Sequence, residues 1–369
     1  MKYNFDKVID RSGTSAEKVE GLEHIWGRTD LIPLWVADMD FATAPFVTDA
    51  IRKRCENEVL GYTGKPDSYY NAIINWVKQR YDLIVTKEVI NFVPGIVPGI
   101  GMAMNCFTQK GDKVMIQPPV YHPFAWVTTR NERTLVINPL RWENGMYRMD
   151  LDAFREQIKG CKLFILCNPH NPGGVVWTEA ELRAIADICY DEKVLVFSDE
   201  IHADLTLPPH THRPFATVSE KARMNSVTFM SPSKAFNMPG LSASHALIFN
   251  EDLRKRFRIY MDAGELDMGH VFAFLSVEAA YSHGTEWLDQ CLAYIQGNID
   301  FVDEFLKKHA PKIKAIRPEA SYLVWLDCRE LELSQKDLNE FFVDKAHLAL
   351  NDGEMFGKEG IGFMRLNVA

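Results

Sequence analysis

Four short stretches of this chain carry groups capable of chemistry at points where apolar runs give out. Residues 162–167 lead into Asn168-Pro-His-Asn171-Pro-Gly-Gly174, residues 194–198 into Asp199-Glu-Ile-His202, and residues 226–230 into Ser231-Pro-Ser233-Lys234. Upstream, Gly95-Ile-Val-Pro98-Gly-Ile-Gly101 reads as a glycine-rich entry to a helix, with Pro98 at its first position. A lysine amine can condense with a carbonyl compound or carry a proton, and a carboxylate can hold a proton on a nitrogen. A helix N-terminus offers free N–H groups to an anion. Each stretch alone has an ordinary reading: a surface lysine, an acidic helix cap, an Asn-Pro turn, or a glycine that lets a helix pack closely. In order along the chain they form one set, because open α/β sheets bind ligands beyond the carboxyl ends of their strands.

The elements that must position this set alternate short apolar runs with helical patterns, which predicts an α/β fold with a largely parallel sheet. Candidate strands are 113–117, 133–138, 162–167, 194–198, 226–230 and 245–249, rich in β-branched and aromatic residues. Thr178-Glu-Ala-Glu181 is a capping box that opens a helix running to about Glu192. From Thr285 to about His309, Leu288, Leu292, Ile295, Ile299, Val302 and Leu306 recur in steps of three and four, predicting one long helix with a single apolar stripe. A strand over 321–327, a helix from Ser334 to about His347 and a strand over 363–367 follow, suggesting a smaller α+β domain. The first forty or so residues are too polar and broken to stand alone and are expected to pack partly on that domain.

At 369 residues the chain exceeds the size of a single core, and 47% hydrophobic with 25% charged residues is the balance of a soluble globular protein. A net charge of −9 without a basic face argues against nucleic-acid binding. The densest basic run, Arg254-Lys255-Arg256, reads as a solvated helix face. Seven cysteines without a C-x-x-C pair suit buried thiols in a reducing compartment. The N-terminus is charged and shows no secretory signal, and no apolar stretch approaches the ~18 residues of a membrane span. A cytoplasmic protein is expected, with no nucleic-acid or membrane partner. His210 and His212 have H-x-H spacing, but no carboxylate or cysteine in the sequence around them completes a ligand set, so no metal site is expected. Glu200 is expected to be structural.

An amine, an anion cradle and a carboxylate are what pyridoxal 5′-phosphate (PLP) needs for its aldehyde, its phosphate and its pyridine nitrogen. The whole chain resembles the class I/II aminotransferase fold (fold type I) through Asn171-Pro-Gly-Gly174, Asp199-Glu-Ile-His202, Ser231-Pro-Ser-Lys234 and Phe363-Met-Arg365-Leu-Asn367. More narrowly, Leu34-Trp-Val-Ala-Asp-Met-Asp-Phe41, Gly61-Tyr62 and Ser233-Lys-Ala-Phe-Asn237 resemble the MalY/PatB branch of cystathionine β-lyases and cysteine desulfhydrases.

The resemblance implies a large PLP-binding domain over 48–284 and a small domain from 1–47 and 285–369. It implies that Lys234 forms the Schiff base and then serves as acid and base at Cα, while Asp199 pairs with the ring N–H. Asn171 and His202 would bond the ring hydroxyl, and Tyr121 would stack on the ring. The Ile96 and Val97 amides and the Ser231 and Ser233 hydroxyls would hold the phosphate. Tyr62 would reach it from the neighbouring subunit of a homodimer with shared active sites. Arg365 would grip the substrate carboxylate, with Asn171 and Tyr62 beside it and Trp35 lining a thioether pocket. Ring packing elsewhere explains Trp35 equally well.

The implied activity is a carbon–sulfur β-lyase that releases a thiol or sulfide, pyruvate and ammonia from an amino-acid substrate. An aminotransferase shares the same cofactor site, and a regulatory protein with a vestigial site is a third reading. Ser242 stands eight residues after Lys234, where many aminotransferases carry a phosphate-binding arginine; this departure resembles the lyase branch. The sequence stops at Ala369, where relatives continue into a further helix, so a truncated tail with apolar surface left exposed is the expectation.

Overall fold

The computed structural model describes residues 3–369; residues 1 and 2, counted above with the N-terminal segment, lie outside the described residues. The central strand Cys161–Cys167 shows how the sheet is built. Leu163, Ile165 and Cys167 point to one side, into a cluster with Ile100, Ala103 and Phe124. Phe164 and Leu166 point to the other, against Leu182, Ile185 and Ile188. A strand covered on both faces has no polar alternation, which is why it reads as a continuous apolar run. Burying each such side chain contributes about 1.5–3 kcal/mol.

Seven strands hydrogen-bond in the spatial order Ile90–Val93, Ser244–Leu247, Ser226–Met230, Leu195–Asp199, Cys161–Cys167, Lys113–Ile116 and Thr134–Ile137. Ser244–Leu247 runs antiparallel to both neighbours, and the other pairings are parallel. The α/β architecture with a mostly parallel sheet is as expected, with strand limits displaced by a residue or two. The largest displacement, 245–249 to Ser244–Leu247, arises because Asn250 caps the next helix, accepting from the amides of Asp252 and Leu253. Ile90–Val93 was missed; four buried residues in a row carry no period that separates strand from helix.

The capping box at Thr178 forms in both directions and starts the helix Glu179–Asp191. The long helix spans Thr285–His309, with Leu288, Leu292, Ile295 and Ile299 buried along its stripe. Beyond it, Lys314–Ile316, Leu323–Asp327, Phe363–Asn367 and Asn351–Asp352 form a four-stranded antiparallel sheet. The N-terminal segment docks here, with Ile32–Pro33 pairing in parallel with Leu348–Ala349.

Two local expectations change. The helix expected from Ser334 to His347 is an α-helix only over Gln335–Glu340, capped by Ser334, and then widens into a π-helical turn over Phe341–Lys345. Pro98 is the third residue of the helix Ile96–Phe107, not the first. It is tolerated because N–H groups of the first turn have no intrahelical acceptor. Among the described residues no helix is long and apolar enough to cross a membrane, and all seven cysteines are free thiols.

Candidate active site

The polar ends of three parallel strands open on one cavity of about 260 Å³, lined among others by Tyr121, Asn171, Asp199, His202, Ser233 and Lys234. The helix Ile96–Phe107 points its N-terminus into the same space, so Ile96 and Val97 also line it. Gly95 precedes that helix at φ +112°, a conformation that favours glycine. The first intrahelical bond from this end is Gly99 N–H to Gly95 O at 3.0 Å. The amides of Ile96 and Val97 therefore lie ahead of the hydrogen-bond ladder, and Pro98 has none.

Asp199 ends its strand beside Cys167, and its carboxylate accepts from the Ile201 amide at 3.1 Å. Burial pushes its pKa up to about 7; the Ile201 bond opposes this, Glu200 adds to it, and Lys234 opposes it. Lys234 Nζ donates to the Ala37 carbonyl at 2.5 Å. Burial, with help from Arg365, pushes its pKa down to about 8, against the pull of Asp38 and Asp199. His202 is held neutral, its pKa pushed to about 3 by burial and by the cations Lys234 and Arg365, and its Nδ1 is buried with no partner among the described residues. Burial raises the Tyr121 hydroxyl pKa as well.

Arg365, on Phe363–Asn367, lies behind Asn171. Its guanidinium donates to Asn171 Oδ1 at 3.2 Å, the Trp35 carbonyl at 3.1 Å and Asn351 Oδ1 at 2.5 Å. The group sits over the Phe356 ring at 4.9 Å, and its Nε is buried with no partner among the described residues. Burial lowers its pKa to about 10, although Tyr121 and Tyr322 oppose the fall. It remains a cation at any physiological pH.

Three residues named from sequence stand elsewhere. The Ser231 hydroxyl donates to the Ala243 carbonyl at 2.7 Å and accepts from the Ser233 amide at 3.1 Å, so it braces Ser233 instead of lining the cavity. The Trp35 ring turns away: its Nε1 donates to the Lys18 carbonyl at 3.0 Å and it packs edge-on against Trp26 at 5.4 Å. Only its backbone carbonyl reaches the site, through Arg365. Tyr62 is 99% exposed in an irregular segment outside the cavity of its own chain.

Glu200 is structural, as expected: it accepts from Ser198 Oγ and the Phe215 amide and pairs with His212 at 2.7 Å. His210 lies 3.6 Å from Glu319, so the fold supplies each histidine with its own carboxylate, which the local sequence does not reveal. Ala37, Cys167 and Ser242 also line the cavity. Asn351 was missed; it sits in the two-residue strand Asn351–Asp352, opposite Arg365, with no local signal.

A strand-end lysine, a buried acid and a helix N-terminus around one cavity define a cofactor-dependent α/β enzyme site. The chain belongs to the aminotransferase class I and II family, whose model matches residues 29–369. It is similar to cystathionine beta-lyase PatB of Bacillus subtilis (strain 168), 39% identical over 366 residues that cover 99% of this chain and 95% of the relative. Among solved structures it is similar to a PLP-bound protein of Clostridium difficile 630 described as an aminotransferase, with TM-score 0.98 and 41% identity, covering 100% of this chain and 95% of that one. It is also similar to cystalysin from Treponema denticola, which contains PLP, with TM-score 0.96 and 34% identity over 100% and 95% of the two chains.

Proposed function

We propose that this chain is a PLP-dependent carbon–sulfur β-lyase, with L-cystathionine or a related thioether amino acid as substrate. The observation that carries the reading is the convergence of Lys234, Asp199 and the Ile96–Val97 amides on one cavity, with the Arg365 cation behind Asn171. The residues fit the cofactor. Asp199 is a buried acid, and His202 Nδ1 and Arg365 Nε are buried polar atoms without partners among the described residues. The helix N-terminus suits a phosphate. When bound, PLP supplies an electron sink for the pair left at Cα once its proton is removed.

The chain's own groups do the rest. Lys234 Nζ, with a pKa near 8, is neutral in a useful fraction of molecules and takes the Cα proton. The resulting ammonium then returns a proton to the departing sulfur. Asp199, the buried acid of the cavity, would hold the proton on the ring nitrogen and so favour the cofactor's electron-accepting form. Arg365 would fix the substrate carboxylate by a forked hydrogen bond, and Tyr121, which lines the cavity, would cover one face of the ring. Ser233 would join the helix amides in holding the phosphate, with Ser231 bracing it. Overall, cystathionine and water give homocysteine, pyruvate and ammonia.

The same proposal has the chain act in the cytoplasm as a homodimer, with the exposed Tyr62 entering the partner's cavity, and divides it into a large domain over 48–284 and a small one from the remainder. The relative PatB, a cystathionine beta-lyase, supports the lyase reading over transamination. Incubating purified protein with L-cystathionine and PLP, without a keto acid, tests the choice. Catalytic release of pyruvate supports the lyase, and turnover that requires a keto acid replaces it with the aminotransferase.

A further inference from the structure

The segment 34–41 has no regular secondary structure beyond its first contacts, yet its carbonyls are nearly all engaged. The Trp35 carbonyl accepts from Arg365, and the Ala37 carbonyl from Lys234 Nζ at 2.5 Å and the Tyr322 hydroxyl at 2.9 Å. The Asp38 carbonyl accepts from Lys18 Nζ at 3.2 Å and Asn367 Nδ2 at 2.7 Å. On its other side the segment is tied by charge. The Lys18 side chain is 0% exposed, with Nζ 2.9 Å from Asp40 Oδ2 and 3.9 Å from Asp38 Oδ1. Arg11 lies 2.7 Å from Asp38 Oδ2 and 3.5 Å from Asp40 Oδ1. Asp38 Oδ1 is buried and accepts no hydrogen bond among the described residues.

We propose that Asp38 is a positioning residue for Lys234: clamped by Arg11 and Lys18, it fixes the Ala37 carbonyl against Nζ and biases that nitrogen toward its protonated form. The assignment rests on the reading of Lys234 as the lysine that carries the Cα proton. An amine that must take a proton and then deliver it has to be stable in both states. Burial and Arg365 favour the neutral amine, while Asp38 and Asp199 favour the ammonium. His202 and Tyr322 face the same nitrogen without adding charge at neutral pH. Asp199 is committed to the cofactor ring in the proposed function, which leaves Asp38 as the carboxylate available to Lys234 throughout. Ala37 O orients one N–H of the ammonium and leaves two for the substrate side.

The test is the ionisation of Lys234 in the full-length protein after removal of the cofactor. Pulses of acetic anhydride across a pH series, read by mass spectrometry on the Lys234 peptide, give its midpoint, with the exposed Lys336 as internal standard. Asp38→Asn removes a carboxylate and frees two cations, so the midpoint falls by about one pH unit. Arg11→Met leaves Asp38 less neutralised, while Lys18 still holds the segment, so the midpoint rises. Loosening alone would move both variants downward. An unchanged or raised midpoint in Asp38→Asn, or a fall in both, overturns the proposal. If Asp38→Asn does not fold, Arg11→Met decides: a rise supports it, and no change or a fall overturns it. Borohydride trapping of PLP on wild-type Lys234, run in parallel, tests the cofactor reading separately. Failed trapping with the expected midpoints would sink that reading and leave the Asp38 coupling standing.

Discussion

Replacing Asp199 by Asn should make the cofactor-free protein more stable at alkaline pH while weakening its hold on PLP. The carboxylate is 3% exposed, and burial raises its pKa from the ordinary 3.8 to about 7. The sign follows from proton counts. Below pH 3.8 the acid is protonated folded and unfolded, and there is no penalty. As pH rises the unfolded chain releases the proton first, so stability falls until the folded form ionises near 7 and stays low above it. The interval corresponds to on the order of 4 kcal/mol, an upper bound because relaxation and water entry relieve a buried charge. A realised gain of about 1–3 kcal/mol in Asp199→Asn at pH 8 is a rise of about 1–4 °C in Tm for a chain this long. Thermal unfolding of both cofactor-free proteins at pH 8 and in steps toward pH 4 measures it. The gap should close as the pH falls, since the amide can still accept from Ile201. A variant that melts lower at pH 8, or a gap independent of pH, would refute the electrostatic account of this acid.

Other perturbations separate the roles of neighbouring groups. Arg365→Lys keeps the charge but loses the planar fork, and should raise KM for L-cystathionine about 10- to 100-fold, as expected for about 1.5–3 kcal/mol of charge-assisted bonding, with a smaller change in kcat. Trp35→Phe should cost about 1 kcal/mol of stability through the lost bond to Lys18, yet change KM less than about two-fold, because the ring lies outside the cavity; a large KM change would return Trp35 to the substrate pocket. Gly174→Ala should destabilise by about 1–3 kcal/mol in denaturant unfolding, since its φ is +68° and a Cβ there would lie 2.5 Å from Pro318 Cβ.

The chemistry-bearing strand ends were legible because a buried parallel strand must be apolar along its length. The polar side chains that end or closely follow such a strand, Asp199 on one and Asn171 beyond another, therefore mark both the end of the strand and the cavity. The helix Thr285–His309 was legible because one face packs and the other does not. What stayed hidden is what backbone carries. Every residue has a carbonyl, so nothing in Trp35 or Ala37 reveals that their carbonyl oxygens receive Arg365 and Lys234. The indole of Trp35 suggested a pocket lining, whereas its ring is held by Lys18 and Trp26. Ser231 looked like a second phosphate hydroxyl, but its rotamer is set by the Ala243 carbonyl, a partner twelve residues on. The hairpin Arg141–Glu143 with Met146–Arg148 was overlooked despite its Asn144-Gly145 turn, with both residues at positive φ; that pair was the available signal.

A covalent bond between Lys234 and PLP can be tested chemically. The protein, saturated with PLP, is reduced with borohydride, digested and mapped by mass spectrometry. A phosphopyridoxyl group is expected on the peptide that contains Lys234, and is expected to be absent from Lys234→Ala treated in the same way. A reduced adduct on any other lysine, or labelling unchanged in Lys234→Ala, would contradict it.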